Sequence, residues 1–292
     1  MRLYLLLLLL LFLPLQHFAQ EGSYLKYGRL YRLELKNAPF PSPARINGHT
    51  YRDEYYPMET HYNDSTVLVF VPDTLKARKK VDMVVYFHGW NNNVDTVLSQ
   101  FNLIEQFHAS GRQAILVMPE GPKNAPDSFG GKLEETRRFR LFIDEVLKKL
   151  KTVSSGYIDY SPDNIILAGH SGAYRVIAYI LMRGGLTKKI SEVYLFDGLY
   201  ADIEKYSYWL DHYKGRFIDI YTPNGGTKGE SENLMECLTA WDIPYIFIDG
   251  DNFTNQQLMS GRIIFIRSSL EHNEVVSSRD QFRKFLETSI LK

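Results

Sequence analysis

The segment Gly169-His170-Ser171-Gly172-Ala173 follows directly on the apolar run Asn164 to Ala168 and leads into a helical pattern from Tyr174 to Met182. A strand that turns sharply into a helix lifts a serine hydroxyl clear of the sheet edge, where it can act as a nucleophile. The turn crowds its own backbone, so the positions two before and two after the serine must be small; Gly169 satisfies this, and Ala173 adds one methyl to the usual Gly-x-Ser-x-Gly. A serine hydroxyl attacks only when an imidazole takes its proton. His272, in SSLEHNEVV, stands after the last core run and before the closing helical pattern, whereas His212 lies among helical residues. The partner acid is expected between them in chain order. Asp197, in LFDGLY, follows the run Glu192 to Phe196, and Asp249 and Asp251, in IDGDN, are the alternatives.

Acyl transfer also needs N–H donors for the oxyanion of a tetrahedral intermediate. Gly172 supplies one candidate. The loop His88-Gly89-Trp90-Asn91-Asn92-Asn93, after the run Val81 to Phe87, supplies the other. Gly89 lets that loop approach closely, which makes Trp90 the second donor ahead of Asn91. His88 reads as a packed loop histidine, since no second His or carboxylate stands at ligand spacing, and no metal is expected. Phe129-Gly130-Gly131-Lys132-Leu133 lacks the earlier Gly and the Ser or Thr of a phosphate loop. It reads as a loop and helix start that puts Asp127, Ser128 and Lys132 near the same edge.

The elements that would hold these residues are legible as short apolar runs: Val81 to Phe87, Ala114 to Met118, Asn164 to Ala168, Glu192 to Phe196, Phe217 to Tyr221 and Arg262 to Ile266. Continuous runs of this length mark strands buried on both faces of a parallel sheet. Helical patterns over Leu133 to Lys151, Tyr174 to Met182 and Val275 to Leu291 alternate with them. The predicted fold is therefore α/β, a doubly wound, mostly parallel sheet with helices on both faces and its site at the carboxyl ends of the strands. Two earlier runs, Arg29 to Leu35 and Thr66 to Val71, read as antiparallel edge strands, and Tyr245 to Ile248 as an extra strand beside Arg262 to Ile266.

Arg2, the apolar run Leu3 to Leu15 broken by Pro14, and Ala19 before Gln20 form a secretory signal-peptide pattern. The run is too short to span a bilayer. Residues 1–19 are thus expected to be a signal peptide, residues 20–292 one domain without a membrane span, and the location secreted or periplasmic. Cys237 is the single cysteine, which excludes an internal disulfide. Lys plus Arg and Asp plus Glu number 34 each, so there is no basic field to hold nucleic acid.

These residues and their order resemble the α/β-hydrolase superfamily, from about Val81 to the C-terminus. The resemblance implies a serine hydrolase that needs no cofactor, with Ser171 as nucleophile, His272 as base and Asp197 as orienting acid. In many members the acid follows the next strand; here that loop reads Thr222-Pro223-Asn224-Gly225-Gly226, without a carboxylate. Many members also carry a cap domain after the strand that ends at Phe196, where this chain has about 20 residues before Phe217, too few for a domain. Those residues crowd Tyr200, Tyr206, Tyr208, Trp209 and Tyr213 near Asp197. They read either as an amphipathic helix with its rings on the sheet or as a ring-lined platform in which Tyr200 and Trp209 touch substrate. The expected substrate is a small-molecule or carbohydrate ester. The rival readings are a peptidase or amidase with the same triad, and a non-catalytic glycan- or peptide-binding protein on the same fold.

Overall fold

A computed structural model describes residues 24–76, 79–154 and 161–292; the expected signal peptide, residues 1–19, lies outside them. The main-sheet strands are β1 (Gly28–Glu34), β4 (Thr66–Pro72), β5 (Lys80–Phe87), β6 (Ala114–Pro119), β7 (Ser161–His170), β8 (Ile190–Phe196), β9 (Arg216–Tyr221), β10 (Ile246–Asp249) and β11 (Ile263–Arg267). A small hairpin, β2 (His49–Tyr51) with β3 (Glu54–Tyr56), stands apart. The sheet order is β1-β4-β6-β5-β7-β8-β9-β11-β10. β1 pairs antiparallel with β4 and β4 with β6, and the remaining neighbours are parallel. The antiparallel edge and the strand at Tyr245 to Ile248 are thus as the sequence predicts.

The described helices longer than four residues are α1 (Val94–Gln100), α2 (Leu103–Ala109), α3 (Arg138–Val153), α4 (Tyr174–Arg183), α5 (Ile203–His212), α6 (Lys228–Ala240) and α7 (Gln281–Glu287). They cover both faces of the sheet because alternate strand residues point opposite ways. Met83, Val85 and Phe87 of β5 join a core under α3, α4, α5 and α6, while Val84 and Tyr86 join another under α1, α2 and α7. On α3 the buried side chains are Phe139, Phe142, Ile143, Val146, Leu147 and Leu150, the 3.6-residue stripe that pins the helix to the sheet. Each such buried side chain is worth ~1.5–3 kcal/mol, so two continuous cores can stabilise a domain that has no disulfide.

Helix boundaries depart from the sequence pattern where the backbone turns left-handed. α3 starts at Arg138, after Arg137 at φ 64°, and not at Leu133. α7 starts at Gln281, after Arg279 and Asp280 at φ 62° and 54°, so Val275 and Val276 are buried in a turn, not in a helix. The pair α1 and α2 escapes the periodicity because Asn102, at φ 49°, breaks it. Asn93 starts α1 by accepting from the Thr96 N–H at 2.9 Å.

Candidate active site

β7 ends at His170, and Ser171 takes φ 55°, a strained conformation that costs about 1–3 kcal/mol and recurs where a side chain must be aimed. The elbow is packed so closely that its small residues explain one another. A Cβ on Gly169 would stand 2.8 Å from the Ala173 methyl and 2.7 Å from Ile177 Cδ1, so the methyl of Ala173 is accommodated only because position 169 is glycine. A Cβ on Gly89 would lie 2.5 Å from Ser171 Cβ, which is how the loop after β5 comes to stand against Ser171.

Asp197, directly after β8, is also left-handed, at φ 45°, and fully buried. Its Oδ2 accepts from His272 Nδ1–H at 2.7 Å and from the Thr222 hydroxyl at 2.8 Å. Its Oδ1 accepts from the Thr222 N–H at 3.0 Å and from the Thr227 hydroxyl. Burial pushes this carboxyl up, but the hydrogen bonds from His272, Thr227 and Thr222 together outweigh it and hold the group below the usual carboxylate range. A Cβ at Gly225 would stand 1.9 Å from Asp197 Oδ2, so the loop after β9 can wrap the carboxylate only as glycine there. The alternatives are committed elsewhere: Asp249 is paired with Arg267, and Asp251 holds Ser268 and Ser269.

His272 lies beside the elbow, its ring 4.6 Å from that of His170 and 6.4 Å from that of Tyr200. Tyr200 donates to Gly225 O at 2.6 Å and also interacts with the Ser171 hydroxyl. Burial pushes its phenol up to about 12, with the Asp197 charge adding to the rise. It therefore stays neutral and can hydrogen-bond at any physiological pH.

A pocket of about 290 Å³ opens on Ser171, lined by Trp90, Ser128, Ser171, Gly172, Tyr174 and Tyr200. That is at the lower end of ligand pockets, ~300–1,000 Å³, and suits a small group, not a long chain. The Trp90 indole lies flat enough on the elbow that a Cβ at Gly172 would reach its Cδ1 at 2.3 Å. Its Nε1–H donates to Ser128 Oγ at 2.6 Å and its ring meets Tyr51 of the β2–β3 hairpin edge-on at 5.1 Å. The Asn91 N–H is taken by Ala125 O at 3.0 Å, so of the two candidate loop donors Asn91 is already committed.

Ser171, Gly172, Asp197, His272, Trp90 and Tyr200 are thus brought together. Trp209 is not: it is fully buried, with Gly215 directly against its ring, and cannot reach a substrate. Tyr206 is buried beside it, so α5 lays its rings on the sheet. Asp127 is tied to Arg45 and Lys132 donates to Lys36 O, so of the three loop residues only Ser128 reaches the pocket. His88 is a packed loop residue, with Nδ1–H donating to Gly89 O and Nε2 2.8 Å from Glu120 Oε1. Sequence reasoning missed Tyr174, Thr222 and Thr227. Among the described residues no group of three or more His, Cys, Asp or Glu is placed to hold a metal ion, and no helix is long and apolar enough to cross a membrane.

Sheet order, elbow and site position together define the α/β-hydrolase fold. No family model and no curated protein matches the sequence. Solved structures do match in fold. A ferulic acid esterase aligns at TM-score 0.57 and 12% identity, over 89% of this chain and 98% of the other. The Staphylococcus aureus fluorophosphonate-binding serine hydrolase FphF aligns at TM-score 0.54 and 11% identity, over 89% of this chain and 99% of that one. A feruloyl esterase module from Clostridium thermocellum, complexed with sinapinate, aligns at TM-score 0.53 and 12% identity, over 90% and 88%.

Proposed function

We propose that this protein is an exported serine ester hydrolase, a single domain from residue 20 to 292 behind a signal peptide at residues 1–19. The observation that carries the reading is the 2.7 Å bond from His272 Nδ1–H to the buried Asp197, beside a serine held at positive φ. That bond fixes the proton on Nδ1 and leaves Nε2 as the proton acceptor. Ser171 Oγ attacks the ester carbonyl as His272 Nε2 takes its proton. The oxyanion is received by the N–H groups of Trp90 and Gly172. Collapse breaks the bond to the alcohol, which leaves with the proton from Nε2, and an acyl-enzyme remains. Water then attacks, gives its proton to His272, and the carboxylic acid departs as Ser171 recovers the hydrogen.

The substrate we favour is a carboxylic ester of a small molecule or carbohydrate with a planar group facing Trp90, Tyr174 and Tyr200. The pocket's size and ring-lined walls support this, as does the presence of feruloyl esterases among the fold neighbours. A fluorophosphonate probe tests the class. The expected result is a single adduct on Ser171, absent from Ser171→Ala, together with turnover of short aryl esters faster than of matched amides. No adduct on the wild type would sink the hydrolase reading.

A further inference from the structure

We propose that His170, the residue before the nucleophile, is a positioning residue for His272: its imidazole anchors the backbone of the base and backs its ring. The inference rests on the Ser171–His272–Asp197 reading. His170 Nε2 lies 2.9 Å from the His272 carbonyl oxygen. A carbonyl only accepts, so Nε2 carries the proton and Nδ1 holds a bare lone pair. The two rings face each other at 4.6 Å and 35°, and Phe101 closes on His170 edge-on at 5.1 Å. His272 is thereby held at two points, its side chain by Asp197 and its main chain by His170. The loop after β11 cannot drift without breaking one of them.

Neutrality follows from the surroundings. His170 is buried, and its Nδ1 has no hydrogen-bond partner, so a second N–H would point at no acceptor. The charged or titratable groups facing it are His272, Asp197 and His88. Burial first, then His272 and more weakly His88, oppose a charge on His170, while the bond to the His272 carbonyl and the Asp197 carboxylate favour it. The ring is pushed down to about 4. This matters because His272 must become an imidazolium in each half-reaction. A charged ring packed against it would oppose that step, whereas a neutral one leaves the charge to Asp197.

The test compares wild type, His170→Leu and His170→Gln. Leucine removes the donor yet suits a buried site, and glutamine places an N–H at the reach of Nε2 without a titrating group. A displaced base costs one to two orders of magnitude in rate. The expected result for His170→Leu is therefore a fall of about 10- to 100-fold in kcat and in the rate of fluorophosphonate labelling, with KM and Tm held. His170→Gln should recover most of the loss. In wild type and His170→Gln alike, the acid limb of log kcat/KM above about pH 5 should have a slope of one, because His170 takes up its proton only near pH 4. Wild-type labelling with an unchanged rate in His170→Leu would overturn this inference and leave the triad standing. So would a wild-type limb of slope two that becomes one in His170→Gln, a comparison that does not need the leucine variant to fold. A wild type that takes no label removes the triad and this inference with it.

Discussion

Asp197→Asn is the substitution for which the structure dictates most of the outcome. The two carboxylate oxygens have different neighbours. Oδ1 faces the Thr222 N–H, which cannot be anything but a donor, and Oδ2 faces the Thr222 hydroxyl and His272 Nδ1, both of which can switch to accepting. The amide NH2 of asparagine must therefore sit on the Oδ2 side. There it donates to His272 Nδ1 and forces the proton onto Nε2, the atom that has to accept from Ser171. A triad with the wrong tautomer loses about 10⁴ in kcat, equivalent to about 5.4 kcal/mol of transition-state stabilisation. The measurement is kcat and kcat/KM on a short aryl ester, with circular dichroism and Tm confirming the fold. Asp251→Asn serves as the control, because Asp251 only ties down Ser268 and Ser269. A loss below tenfold in a folded Asp197→Asn protein, or a larger loss in Asp251→Asn, would refute the tautomer argument. The pH dependence has a fixed sign. The folded carboxyl of Asp197 titrates below its ordinary 3.8, so its ionised form adds stability above that pH and the gain is lost as pH falls through the lower folded value.

Two further outcomes are expected. Asp219, buried in β9 with only Ser231 on one oxygen, is pushed up to about 7 mainly by burial, with Ser231 opposing and Asp197 adding to the rise. The unfolded chain releases that proton first, so stability should fall between about pH 3.8 and 7; Asp219→Asn should remove the fall and add up to ~4 kcal/mol of stability at pH 8, seen as a higher Tm, and an unchanged Tm–pH curve would contradict it. Trp90→Ala deletes the pocket wall and the partner of Ser128 but keeps the backbone N–H. It should raise KM for aryl esters by about tenfold, the order expected for a lost aromatic contact, while sparing kcat for acetyl esters of small alcohols; equal losses on both would place the indole's role elsewhere.

Ser171 and His272 stood out in the sequence because their signals are local and topological. A small-x-Ser-x-small turn between a strand and a helix has few other uses, and Ser171, Asp197 and His272 each follow an apolar run; the fold sets those runs close together as β7, β8 and, beyond β9, β11. The aromatic crowd was ambiguous because composition does not say which way a ring faces. Tyr206 and Trp209 are three residues apart and share the inner face of α5, while Tyr208 between them points out. Only Tyr200, ahead of the helix, reaches Ser171. Tyr174, Thr222 and Thr227 were missed since each depends on a contact across distant segments, and boundaries were missed where a single left-handed residue, Arg137 or Asp280, delayed the start of a helix.

The loop after β9 shows why an absence in sequence can be informative once the fold is known. Thr222-Pro223-Asn224-Gly225-Gly226-Thr227 has no carboxylate and reads as chemically silent. In the fold it delivers three donors to Asp197, and Gly225 leaves room for the carboxylate between them. With the His272 bond, both oxygens are then occupied, so a second carboxylate in this loop would find no donor and would push Asp197 up by like-charge repulsion. Burying Asp197 after β8 and lining the loop after β9 with hydroxyls and glycines are therefore two parts of one arrangement. The electrostatic cost of burying Asp197 is met by neutral donors that do not compete with His272 for its charge.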